Sequence, residues 1–347
     1  MTFVKMFAVV AAALAAASAI QPPGYRWEPQ TSGVTARLRG VSALSTRDAW
    51  ASGASGTVLH TRDGGSTWER VTIPDSAGLD FRDVDAIDET TAYVLSIGPG
   101  PASRIYKTTD WGATWALQFS NEDPKGFFDA MAFWDTNHGL VMGDSIDGRF
   151  DILRTLDGGK TWSRIPATSL PAALPNEGAF AGSGTNVAVL PGGSAWIGTG
   201  AGPRCRVLHT TDYGATWTVA ETPVAASASA GIFSIAFRDA QHGLTVGGDY
   251  RKESEAVANA AASTDGGRTW APVTGLSGFR SVVAAVPFST GAWIAVGPSG
   301  ADASDDDGKT WTNISTAGYH AFSFAKERGN HSGWAVGENG RIARLSW

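Results

Sequence analysis

Cysteine is all but missing. Cys205 is the one cysteine in 347 residues, so no internal disulfide can form and the fold must hold by packing alone. With no paired base near it, Cys205 reads as a small buried hydrophobe rather than a nucleophile. Charge is sparse too, at 17% of residues, and its balance is acidic, −6 at neutral pH, which argues against nucleic acid as a partner. The six histidines (60, 138, 209, 242, 320 and 331) show no metal-ligand spacing, so neither a metal nor a cofactor is expected. His138 and His242 fall in a repeated His-Gly-Leu and read as structural. The main apolar run, Met6–Ala17, is too short for a transmembrane anchor.

That run belongs to an address. Lys5, the apolar stretch and Ala17-Ser18-Ala19 form a charged start, a hydrophobic middle and a small-residue cleavage site. Residues 1–19 therefore read as a secretory signal cleaved near Ala19, with residues 20–347 exported to the periplasm or outside the cell as a monomer. No cysteine stands at the cleavage point to carry a lipid. Glycine (43) and tryptophan (14) are abundant, which fits a turn-rich all-β chain.

One phrase organises the mature chain. Thr61–Trp68 reads TRDGGSTW, and the frame S/T-x-D-x-G-x-T-W returns five more times, at Thr108–Trp115, Thr155–Trp162, Thr210–Trp217, Ser263–Trp270 and Ser304–Trp311. Its aspartates are Asp63, Asp110, Asp157, Asp212, Asp265 and Asp306, at spacings of 47, 47, 55, 53 and 41 residues, the period of a repeat architecture. Each copy encodes a tight turn: Asp accepts turn amides, Gly supplies an unusual backbone angle, and Trp68, Trp115, Trp162, Trp217, Trp270 or Trp311 opens the next strand with an apolar plate. Around each copy, short alternating segments separated by Gly and Asp imply a four-stranded antiparallel sheet. The second-strand signal, such as AWASG (49–53) or AWIAVG (292–297), occurs seven times, once more than the turn.

The last repeat ends at RIARLSW, one strand short, while Tyr25–Pro29 resembles the strands that leave the turns. The N-terminal segment is thus expected to complete the last sheet and close a seven-bladed β-propeller, a single domain over 20–347. The blades read as 33–75, 76–122, 123–172, 173–225, 226–275, 276–316 and 317–347 with 23–32.

The frame resembles the Asp-box, or BNR repeat, of sialidases and related propellers. The whole pattern of seven blades, repeated turns, leader and arginine placement is similar to the photosystem II stability/assembly factor group. That resemblance implies an exported propeller binding a protein partner through an arginine-lined patch, with the turns on the rim and far from any active site. A sialidase would also need an F/Y-R-I-P motif before the first turn, whereas the R-I-P here, Arg164–Pro166, follows the third.

Propeller topology brings the loops before the inner strands and those after the second strands to one face. Over the axis this places Arg39, Arg82, Asp83, Phe128, Asp129, Glu177, Phe233, Arg280 and His320, joined by Asp144, Arg204, Asp249 and Tyr250 from the second set of loops. Guanidinium forks bind carboxylates bidentately, so Arg39, Arg82 and Arg280 favour an anionic ligand, an acidic protein segment or a glycan. The alternative is a carbohydrate-active enzyme, a glycoside hydrolase or lyase, drawing a carboxylate pair from Asp129, Glu177, Asp144 and Asp249.

Overall fold

The computed structural model describes residues 24–327 and 332–347. The expected leader and His331 lie outside the described residues. The described chain forms seven four-stranded antiparallel sheets, each inner strand touching those of its two neighbours so that the ring closes. In blade 1 the strands a to d, from the axis outward, are Leu38–Ala43, Ala49–Gly53, Thr57–Thr61 and Glu69–Val71. The later inner strands are Asp80–Ala86, Phe128–Phe133, Val187–Leu190, Ala230–Phe237, Val282–Ala285 and Ala321–Phe324. Arg26–Gln30 is the outer strand of blade 7, paired antiparallel with Ile342–Ser346 from Arg26↔Ser346 to Gln30↔Ile342. Among the described residues no helix is long and apolar enough to cross a membrane.

The repeated turns join strands c and d, and each clasps the preceding blade. In the first, Thr67 donates to Asp63 from its amide (2.9 Å) and its hydroxyl (2.7 Å), and Gly65 N–H donates to Thr61 Oγ1 at 2.8 Å. Two consecutive residues take left-handed angles in every copy: Gly64 and Gly65 (φ 78° and 84°) in the first, Trp111 and Gly112 (φ 58° and 87°) in the second. The glycine is also a steric requirement. A Cβ on Gly112 would stand 2.8 Å from Trp50 of blade 1, and one on Gly267 would stand 2.9 Å from Trp196 of blade 4. Two aromatic side chains of strand b also bond across the blade boundary, Tyr93 hydroxyl to Gly158 O at 2.7 Å and Trp196 Nε1 to Gly266 O at 2.9 Å. The turns are therefore the inter-blade joints of the ring.

Those joints make the fold acid-sensitive. The amide and hydroxyl of Thr67 hold Asp63 down to about 2, and Thr310 does the same for Asp306. A carboxylate depressed on folding stabilises the fold above its unfolded value, near 4, and loses that contribution as pH falls toward 2. Unfolding free energy should therefore drop between pH 4 and pH 2. Asp63→Asn should be less stable than the wild type at pH 5 and converge with it toward pH 2. Parallel curves over that range would remove the turn carboxylates as the cause.

Blade 4 departs from the repeat. The sequence reading put Glu177 at the start of an inner strand, but strand a begins only at Val187. The intervening segment 179–185 runs across the axis as a plug. Its Ala181 and Gly182 carbonyls face Arg82 and Arg39 at 2.8 and 3.4 Å. Ser183 Oγ donates to Ser281 O of blade 6 at 2.8 Å, and Thr185 Oγ1 donates to Ser234 Oγ of blade 5 at 2.8 Å. A Cβ on Gly184 would lie 2.2 Å from Asp83 of blade 2. The central channel is filled by the chain's own backbone.

Candidate functional site

On the face away from the turns the plug floors a cavity of about 700 Å³. A register irregularity builds much of its wall. In four inner strands the ladder skips a residue, between Leu38 and Gly40, Phe81 and Asp83, Phe128 and Ala130, and Ile232 and Ser234. The skipped residues are Arg39, Arg82, Asp129 and Phe233, and all four line the cavity. A β-bulge frees one side chain from the alternation of its strand and re-aims it, here toward the axis. Ser281 and His320 line the cavity from blades 6 and 7.

The arginine side spans blades 1 and 2. Arg82 Nε contacts Asp80 at 2.9 Å, and Arg37 reaches the same carboxylate oxygen at 3.5 Å. Arg39 has no carboxylate partner, and its buried Nε has no hydrogen-bond partner at all. Burial first, then repulsion from Arg82 and Arg37, lowers its pKa to about 10. His320 contacts Glu338 at 2.7 Å, yet burial and Arg39 lower it to about 4, so it is neutral at physiological pH. Arg37 and Arg82 thus share one carboxylate, Asp80, and Arg39 beside them has none.

The opposite side, from blades 3 to 6, is aromatic and acidic. Phe180 and Phe233 stack at 4.2 Å, Phe279 meets Phe233 edge-on at 4.7 Å, and Tyr250 closes the cluster at 6.1 Å from Phe233. Asp129 is 1% exposed and takes a bond from the Ala181 amide, but its Oδ2 has no partner. Burial, then the neighbouring Asp144, raises its pKa well above the carboxylate range. Burial also raises Asp144, which accepts from Ala179 N–H at 3.2 Å.

Of the residues expected over the axis, Arg39, Arg82, Asp129, Asp144, Glu177, Phe233, Tyr250 and His320 line the cavity. The Glu177 carboxylate, however, is consumed by Arg206, Thr199 and the Leu174 amide. Four residues require correction as ligand contacts, and one as a catalytic candidate. Phe128 is fully buried in the core between blades 2 and 3. Asp83 is buried, accepting from Met131 N–H at 2.7 Å. Arg204 pairs with Glu221 on the exterior. Asp249, the catalytic candidate, caps the turn that holds Arg251 (3.0 Å) and does not line the cavity.

Arg280 is the most informative correction. It is one position out of register with Arg39. A Cβ on Gly53 would strike Arg37 O and Leu38 Cα, and one on Gly297 would strike Phe279 O and Arg280 Cα. Arg280 thus fills the slot held by Leu38 in blade 1, and Ser281 holds the slot of Arg39. Its guanidinium is fully buried against Asp302, with contacts of 2.7 and 2.8 Å, and donates to Phe279 O at 2.8 Å. Asp302 lies inside strand c of blade 6, Gly300–Ser304. Phe180, Phe279 and the plug carbonyls were not anticipated, because they belong to irregular segments with no repeat signal.

Cys205 is buried, and burial raises its thiol to about 12, consistent with a packing role. Among the described residues no three of His, Cys, Asp and Glu are grouped to hold a metal ion.

Sheet count and closure define a seven-bladed β-propeller of four-stranded antiparallel blades. Residues 20–129 match the family model described as "Photosynthesis system II assembly factor YCF48". The chain resembles that assembly-factor group over its whole fold. A solved structure described as YCF48 bound to D1 peptide is 18% identical, with a TM-score of 0.65 over 95% of this chain and 99% of that one. YCF48 from Cyanidioschyzon merolae is 18% identical, with a TM-score of 0.64 over 92% and 98%. More distantly, the xyloglucanase Xgh74A of Acetivibrio thermocellus is 25% identical over 154 residues, 37% of this chain but only 18% of that enzyme's length.

Proposed function

We propose that this protein is a binding module of the assembly-factor kind that captures an anionic segment of a partner protein, by docking its carboxylates on Arg39 and Arg82. The observation that carries the reading is a charge imbalance: Arg37 and Arg82 already occupy Asp80, and Arg39 beside them is buried with its Nε unpartnered. A buried cation held only by a carbonyl at 3.4 Å is undersatisfied, and an arriving carboxylate would supply a charge-assisted, forked partner. The peptide-bound state of a structurally similar propeller supports a protein segment as the ligand class. We further propose that the protein is exported, on the strength of the leader pattern in residues 1–19. N-terminal sequencing of secreted protein would test this, and an intact Met1 would refute it.

A fluorescent acidic peptide with an amidated carboxyl terminus tests the site. Arg39→Ala and Arg82→Ala should each weaken its binding by about ten- to a hundred-fold while unfolding midpoints stay near wild type. Tight binding by both variants, or equal binding of the Gln-for-Glu peptide, would refute the assignment.

A second reading has one observation behind it. Asp129, whose pKa is raised by burial and by the neighbouring Asp144, has the character of a glycosidase acid, and the xyloglucanase similarity points the same way. Release of reducing sugar from xyloglucan, abolished in Asp129→Asn, would establish it in place of the binder reading.

A further inference from the structure

The binder reading uses the arginine side of the cavity and leaves the side formed by blades 3 to 6 without an assigned role. There, Asp129 and Asp144 stand at the end of an aromatic sleeve built from Phe180, Phe233, Tyr250 and Phe279. No lysine or arginine of the described chain bonds either carboxylate. Arg82, whose charge acts on Asp129, is committed to Asp80 at 2.9 Å and to Ala181 O at 2.8 Å. Arg251 lies 5.7 Å from the centre of the Tyr250 ring, and Lys252 is bonded to Glu255 at 3.2 Å on the rim.

A fully buried carboxyl oxygen with no partner is an unmade interaction with a large desolvation cost. It persists in a folded protein where the group serves a ligand. The ligand that suits both halves of this subsite has an apolar stem and a cationic tip. Long basic side chains lay their methylenes on apolar surface and keep the charged head at a polar end, and aromatic walls add cation–π attraction. We propose that the Asp129–Asp144 side is a cation subsite that takes a lysine or arginine side chain of the captured segment, so that the cavity reads one acidic and one basic feature of the same partner. This rests on the binder reading for the identity of the partner, but the subsite is testable alone.

Seating a cation also has a protonic consequence. Asp129 faces Asp144, Arg82 and the Ala181 amide, and the cavity around it holds Arg39, Glu177 with Arg206, Glu253 and His320. A positive charge arriving beside Asp129 favours its ionised form, so binding should release a proton.

The test uses the mature chain and two probes, Nα-acetyl-lysine amide and its uncharged counterpart Nα-acetyl-norleucine amide, followed by calorimetry. The lysine probe should bind about ten-fold or more tightly than the norleucine probe. Its heat should vary with the ionisation enthalpy of the buffer. Asp144→Asn keeps the acceptor for Ala179 N–H, so it should fold normally. It should cut lysine-probe binding by about ten-fold, leaving capture of the acidic peptide unchanged. Arg39→Ala should do the reverse. Equal binding of the two probes, or indifference of the lysine probe to both Asp144→Asn and Asp129→Asn, would overturn the subsite. Failure of the wild-type protein to bind the acidic peptide, with the lysine probe still preferred, would overturn the anionic reading instead.

Discussion

Arg280→Ala should destabilise the protein by about 3–5 kcal/mol without touching the ligand cavity. The substitution leaves Asp302, 0% exposed, as an unpaired charge in the core, and breaking one side of a buried ion pair costs about that much. Chemical denaturation of the single variant, beside Arg280→Met/Asp302→Leu, separates charge from packing. Because the double change removes both charges and refills the slot held by Leu38 in blade 1, it should recover most of the loss. A single variant within 1 kcal/mol of wild type would mean that the pair is hydrated, contrary to its full burial. Binding of the acidic peptide should be unaltered in any folded variant, which distinguishes Arg280 from Arg39.

Trp27→Ala should cost a comparable amount, about 3–5 kcal/mol. Trp27 is 8% exposed, stacks on Tyr319 at 5.2 Å and meets Phe322 at 6.3 Å. Its strand carries Gln30, whose Oε1 accepts from both Trp68 and Trp334 at 3.1 Å and whose Nε2 donates to Gly64 O at 2.9 Å. Those bonds tie the last blade to the first. Losing the tryptophan loosens the strand that bears them, so the variant should also become more sensitive to proteolysis near residue 30. Arg26→Ala on the same strand is the control, since Arg26 makes only an exposed contact with Glu28 at 3.8 Å, worth little. Equal stability of the two variants would show that the strand is not what closes the ring.

The architecture was legible because its punctuation is covalently local. An Asp, a Gly and a Trp within eight residues specify one turn, and six such turns at a steady spacing specify a ring. Even the closing strand was readable, since Trp27 sits in the same phase as the tryptophans that leave the turns. The cavity was less legible, because the turns lie at the far end of each blade and the intervening loops differ in length. Phase is therefore lost before the inner strand begins, and Arg280 passed for an equivalent of Arg39 although it lies one residue away. A signal was available in Gly300–Ser304, where Asp302 stands between two alanines of a buried strand and demands a cation. The plug had no such signal: residues 179–185 read as an ordinary glycine-containing lead-in, and only the tertiary fold sends them across the axis.

The bulges carry a consequence for how this scaffold changes. Positions 39, 82, 129 and 233 each stand outside the ladder of their strand, so their identity is decoupled from the pairing that holds the blade. Substituting them changes the lining of the cavity without breaking a ladder pair, whereas moving any of them by one residue trades a cavity position for a core position. On the binding role proposed above, retargeting such a protein is a matter of rewriting a few letters held in frame by an unchanged grammar, and diversity confined to the arginine positions 39 and 82 should yield folded proteins with new preferences.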